Sequence, residues 1–203
     1  MKADVARMPM QERFMHLFAV ISSQRFLKKQ GLGNEIPFFI CPFRTEELVE
    51  MERVQRQLMN RLEQAGIRIL EINLYDLSIG MLKDRGIWNQ ILKVEESVSK
   101  GQLKELLQGV LDPEKHLVPA IAARLLSIDF DVLFLSGVGE VFPYIRSHSV
   151  LNNLQSTAKE KPTVLFFPGS YTHSIESGAS LDLFRRFHDD KYYRAFNIFH
   201  CEA

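Results

Sequence analysis

The chain has 203 residues, of which 46% are hydrophobic and 25% charged. That is a globular mixture and excludes a disordered or fibrous chain. Lys plus Arg number 25 and Asp plus Glu number 25, so bulk charge would not coat the protein onto nucleic acid or anionic membrane, although a local patch remains open.

At this length one core can bury roughly 70% of the surface that the unfolded chain exposes, and a single domain over 1–203 is expected. Near the N-terminus, Phe14, Leu17, Phe18 and Ile21 follow the spacing of one helix face. The run around them is short for a signal peptide, and nothing reaches the ~18 apolar residues of a membrane span. A cytoplasmic protein is expected. Cys41 and Cys201 give no metal spacing and no disulfide framework; the expectation is a buried apolar thiol and a tail thiol.

Four continuously apolar runs, rich in β-branched or aromatic residues, predict buried strands: Ile36–Cys41, Ile67–Ile72, Val132–Leu135 and Thr163–Phe167. A weaker fifth is Tyr193–Ile198. Helices fill the gaps. Thr45 reads as an N-cap before the stripe Met51, Val54, Leu58, Leu62, which Gly66 ends. Residues 75–127 read as a long helical insertion, punctuated by Gly86, with a capping box at Ser99 and Gln102 and a new helix opening at Asp112-Pro113. Pro143–Ala158 reads as helix, 168–174 as a loop, and Leu181–Phe187 as a short helix. Strands alternating with helices predict an α/β fold: a mostly parallel sheet, flanking helices, and the insertion between the second and third strands.

In such sheets the binding crevice lies outside the carboxyl ends of the strands. The strand exits supply Asn73 and Asp76, then Gly137, Gly139 and Glu140, then His173. His148 and Asn152 share a helix face, with Arg146 and Asn153 beside them, and complete a candidate polar rim. The competing reading of this set is capping, turn chemistry and structural hydrogen bonding.

Gly137-Val-Gly139 lacks the third glycine of a dinucleotide turn, since Phe142 and Pro143 follow, and a tight turn explains it. No Gly-Lys phosphate cradle, Gly-x-Ser-x-Gly elbow or His-Glu-x-x-His occurs. Asn73 stands where a Glu-x-Lys nuclease pair would need its cation. No metal and no cofactor are expected. The segment from Arg185 to Phe196 interleaves cations with aromatics, and Arg185, Arg186, Phe187, Tyr192, Tyr193 and Arg194 form a candidate partner-binding surface. Asp189 and Asp190 inside it would repel phosphate.

Several segments together resemble one family. They are Gly31-Leu-Gly-Asn-Glu35 with the first strand to Pro42, Leu70-Glu-Ile-Asn-Leu-Tyr-Asp-Leu77 and Leu111-Asp-Pro-Glu-Lys-His-Leu-Val-Pro119. To these add Gly137-Val-Gly-Glu-Val-Phe-Pro-Tyr-Ile-Arg-Ser-His148, Val150-Leu-Asn-Asn-Leu-Gln155, Phe166-Phe-Pro-Gly169 and Asp189-Asp-Lys-Tyr-Tyr-Arg-Ala-Phe196. In order and spacing they are similar to the BrxB-type proteins of bacterial BREX phage-defence clusters, from about residue 31 to 198. The resemblance implies a cytoplasmic defence system whose other members include a DNA methyltransferase, a large AAA-type ATPase and PglZ, a protein of the alkaline-phosphatase type. It carries no catalytic motif to transfer.

Two classes of function follow. One is a non-catalytic adaptor or assembly factor, with the PglZ-type protein as its expected partner. The other is an enzyme, or a nucleotide- or nucleic-acid-binding protein, with an unrecognised site at the strand exits.

Overall fold

In the computed structural model, residues 8–30, 37–154, 157–174, 178–184, 186–189 and 195–203 are described. The four predicted runs form strands β1 (Phe38–Phe43), β2 (Ile69–Asn73), β3 (Val132–Ser136) and β4 (Thr163–Ser174), with the order β2-β3-β4-β1 and every pairing parallel. Later in the chain come β5 (Gly178–Leu183), β6 (Phe187–Asp189) and the two-residue β7 (Phe196–Asn197). The weak fifth candidate reduces to β7, paired parallel with β1, and its first two residues lie outside the described ones.

Side chains alternate across a strand, and this sheet is apolar on both sides because both are covered. Phe38 and Ile40, Leu70 and Ile72, and Leu133 and Leu135 join one core with Leu77, Leu117 and Ile121. That core packs α4 (Leu74–Asp84), α5 (Trp88–Glu95), α6 (Lys100–Val110), α7 (Val118–Ser127) and α8 (Ser147–Leu154) on one face. Phe39, Cys41 and Phe43, with Val132, Phe134, Val164 and Phe166, join the second core under α1 (Met10–Ser22), α2 (Gln24–Leu27) and α3 (Leu48–Gln64). Full burial of one such Leu, Ile or Phe is worth about 1.5–3 kcal/mol. The insertion between β2 and β3 is therefore α4–α7, all helix and turn, grouped on one side of the sheet. A π-helical turn at Pro113–Leu117, capped by Asp112, leads into α7.

Helix α1 is integral to the second core. Leu17 and Ile21 are fully buried, and Arg13 on the same helix is sealed in beside them. Its guanidinium donates to both carboxylate oxygens of Glu47, at 2.7 and 3.2 Å, and to the Met8 carbonyl at 2.9 Å. Arg44 grips Glu47 from the other side at 2.6 and 2.9 Å. Burial by itself would raise the Glu47 carboxyl, but the hydrogen bonds from two guanidinium groups outweigh it and bring it down to about 2. Glu47, rather than Thr45, closes the start of this segment, because its carboxylate accepts from the Arg44 backbone N–H at 3.1 Å. Cys41 is the expected buried thiol; burial pushes it up to about 12.

Three predicted elements are corrected. Residues 168–174 are not a loop: β4 runs on past the parallel sheet, and Gly169–Ser174 pair antiparallel with β5. Leu181–Phe187 is not a helix: Leu181 and Leu183 are buried on either side of the half-exposed Asp182, a period of two, and β5 pairs onward with β6. Pro168-Gly169 reads as a chain breaker in sequence, yet here it marks the hand-over between two sheets. A Cβ on Gly169 would lie 2.1 Å from the Asp182 carbonyl oxygen, so only glycine lets the strands meet. The helix predicted from Pro143 begins only at Ser147, since residues 141–145 form turns and bends.

Candidate functional site

The carboxyl ends of the parallel strands open into a crevice of about 610 Å³ on the α3 side of the sheet. Strand twist and the parallel arrangement bring the exits of β1 to β4 together there, and α3 forms the opposite wall. The β3 exit turns sharply at Gly137, whose φ of +76° suits glycine. A Cβ there would lie 2.4 Å from the Asn73 side-chain oxygen. That oxygen is occupied: it accepts the backbone N–H groups of Tyr75, at 2.8 Å, and Asp76, at 3.2 Å, and so caps α4. Gly139 lies under the ring of Phe184, which a Cβ would approach to 3.0 Å.

The structure brings five sequence-predicted residues to the crevice: Asn73, Asp76, Gly137, Gly139 and Glu140. It also brings residues that the sequence reading missed. Gln55 and Glu52 come from α3, whose exposed-looking polar positions gave no sign of facing a site. Glu71 comes from the middle of β2, and Ser136 from the last position of β3. Gln55 and Ser136 are 5% and 8% exposed. The Gln55 amide nitrogen donates to a Glu71 carboxylate oxygen at 2.6 Å, and the Ser136 hydroxyl reaches the same oxygen at 3.5 Å.

Partial burial raises the Glu71 carboxyl, and the Asp76 charge adds to that against the Ser136 hydrogen bond and Arg56. Partial burial likewise raises Glu140, with Glu52 and Asp76 pushing the same way. None of Glu52, Glu71, Asp76 and Glu140 is in an ion pair with a described residue. No group of three His, Cys, Asp or Glu among the described residues is placed to hold a metal ion.

The α8 candidates are elsewhere. Val150, Leu151 and Leu154 bury α8 in the opposite core, so Arg146, His148, Asn152 and Asn153 do not line the crevice. His148 is buried, and the Asn153 side-chain amide donates to the Ser149 carbonyl at 2.8 Å. The side chain of His173 lies outside the described residues, as do Arg185, Tyr192, Tyr193 and Arg194. Arg186 and Phe187 are described and exposed. The Phe187 ring packs on Phe142 with centroids 4.5 Å apart, and Phe142 meets Phe184 edge-on at 6.4 Å. An aromatic ledge thus borders the crevice through Phe184.

The arrangement defines a class: an open, mostly parallel α/β sheet with an acceptor-rich crevice at its strand exits. Comparison with known proteins makes the family specific. The family model "BREX protein BrxB" matches residues 70–198. A BREX protein BrxB of Bacillus cereus (strain H3081.97) is 31% identical over 191 residues, covering 92% of this chain and 96% of that protein. One from Escherichia coli O9:H4 (strain HS) is 29% identical over 189 residues, covering 93% and 91%. No solved structure matches. The chain belongs to the BrxB family of BREX proteins. No helix among the described residues is long and apolar enough to cross a membrane.

Proposed function

We propose that the protein is a cytoplasmic, non-catalytic adaptor of a BREX-type bacteriophage-resistance system and that it holds the PglZ-type, alkaline-phosphatase-like member. Family membership carries the first half of this reading. The aromatic ledge supports the second. Phe187 leaves 47% of its surface in solvent while its ring is held against Phe142, and the exposed Arg186 is beside it. A pre-positioned aromatic with an adjacent arginine is the residue pair that interface hot spots favour. The remaining candidates, Arg185, Tyr192, Tyr193 and Arg194, are close in sequence to this pair.

The test is copurification from cells expressing the whole defence cluster. Phe187→Ala, and separately a double Tyr192→Ala, Arg194→Ala variant, should each weaken capture of the PglZ-type protein. Hot-spot truncations cost about 2 kcal/mol or more, roughly thirtyfold in affinity. Variants that melt like wild type yet copurify the protein at full yield would move the interface elsewhere. A wild-type chain that captures no member of the cluster would end the adaptor reading.

A further inference from the structure

The chain leaves β5 at Phe184 to turn into β6, and its backbone there is in the left-handed region, with φ +54°. That region suits glycine or asparagine and is costly for a bulky aromatic. Among the described residues, one other non-glycine residue has a positive φ: Lys29, just past the end of α2, where such a residue routinely closes a helix. Phe184 closes no helix. A hairpin turn by itself is met without strain by glycine or asparagine. What the phenyl ring contributes is found in its contacts.

The Phe184 backbone N–H donates to the Pro168 carbonyl at 2.9 Å, which pins the turn to the end of the parallel sheet. The ring lies against Gly139 so closely that a Cβ there would come within 3.0 Å of two ring carbons. It also meets the Phe142 ring edge-on, with centroids 6.4 Å apart and an interplanar angle of 90°. Phe142 in turn carries Phe187, with centroids 4.5 Å apart. Phe142 and Phe184 are half-buried against the core under α4–α8, whereas Phe187 is 47% exposed. The row of rings thus runs from a pinned backbone turn to an exposed side chain.

We propose that Phe184 is the positioning residue of the partner surface. Its left-handed backbone sets its ring against Gly139 and Phe142, and this fixes Phe142 as the platform on which Phe187 is held before the partner arrives. The proposal rests on the adaptor reading and deepens it. A side chain already held in its bound orientation loses less freedom on association. The strain weakens the free chain, and the return is at the interface, the usual reason for such strain to persist. Phe184 acts through Phe142 and Phe187 and need not touch the partner itself.

Two measurements on the full chain read the free protein. Phe184→Gly and Phe184→Ala both remove the ring, but only glycine is at ease at positive φ, so the glycine variant should melt above the alanine variant. NMR cross-peaks should link the Phe142 and Phe187 rings in wild type. Phe184→Asn, which suits the left-handed turn but lacks the ring, should lose them. Titration of the purified PglZ-type protein then reads binding. Phe184→Asn should weaken affinity about tenfold, the upper end of what ordering one side chain on binding costs. In a Phe187→Ala background it should add no more than about twofold, because its effect passes through Phe187.

A glycine variant that melts below the alanine variant would remove the strain and overturn the proposal. So would ring-to-ring cross-peaks that persist in Phe184→Asn, since Phe142 and Phe187 would then hold themselves. Losses that simply multiply in the double variant would make Phe184 a direct contact or a merely structural residue, and defeat the positioning role. Each of these results leaves the adaptor standing, provided that wild type binds the PglZ-type protein. A wild-type chain that binds no such protein ends the adaptor reading, and the assignment of a partner surface to Phe184 falls with it.

Discussion

The two ends of the parallel sheet use the same residue types to opposite effect. At the amino ends, Arg68 just ahead of β2 is clasped by Asp129 and by both oxygens of Asp131, just ahead of β3, with Asp131 contacts of 2.8–3.0 Å. Hydrogen bonds from Arg68 hold the Asp131 carboxyl down at about 2. At the carboxyl ends, partial burial raises Glu71 and Glu140, and the charges of Asp76 on both and Glu52 on Glu140 add to it. Neither has an ion-pair partner among the described residues. One end is finished as structure. The other leaves solvent-exposed carboxylates outside any ion pair among the described residues. Glu47 sharpens the contrast: it lies just past the β1 exit, yet two arginines satisfy it, and it takes no part in the crevice lining.

The largest effect should come from Arg13→Ala. It leaves the Glu47 carboxylate buried with its inner partner gone, and breaking a buried pair this way costs about 3–5 kcal/mol. Urea denaturation should show the midpoint falling with the slope retained. An unchanged midpoint would mean that α1 is not fastened through this pair. Next is Gly137→Ala, which meets both an unfavourable positive φ and the Asn73 oxygen. A loss of about 1–3 kcal/mol is expected, with a matching drop in the melting midpoint.

The smallest effects carry the comparison itself, through their sign. Asp131 and Glu47 have folded pKa values lowered to about 2. Their stabilising contribution is complete above the unfolded carboxylate range near 4, and is lost as pH falls through about 2. Glu71 and Glu140 are shifted the other way, so they weaken the fold at neutral pH, and the weakening is relieved as acid protonates them. Asp131→Asn should therefore lower the melting midpoint at pH 7. Glu71→Gln should raise it slightly, within the roughly 0.5 kcal/mol typical of exposed substitutions. The Glu71→Gln gain should shrink below the carboxylate range. Two shifts of the same sign at pH 7 would erase the distinction between the ends.

Among the elements, the core strands and the stripe of α3 were legible because continuous apolar runs and a 3.6-residue period survive in the linear chain. The β4–β5–β6 hairpin was not. Leu181, Leu183 and Phe184 fit a short helix as well as a strand, and only the antiparallel partner at Gly169–Ser174 decides between them. Of the crevice, the strand-exit rule found Asn73, Asp76, Gly137, Gly139 and Glu140, since those positions follow from strand ends alone. It could not find Gln55, whose importance depends on which way α3 turns over the sheet. Nor could it separate α8, because crossing to the other face of the sheet is invisible to spacing along one helix.

The sequence by itself determined the family, the parallel α/β architecture and the location of the open end, because each is written in local order: apolar runs, turn residues and motif spacing. The tertiary structure decided which polar groups converge. It set Gln55 against Glu71, 16 residues away, and Arg13 against Glu47, 34 residues away. Whether a carboxylate is neutralised or left facing a cavity depends on neighbours brought in by packing. No periodicity along the chain records that.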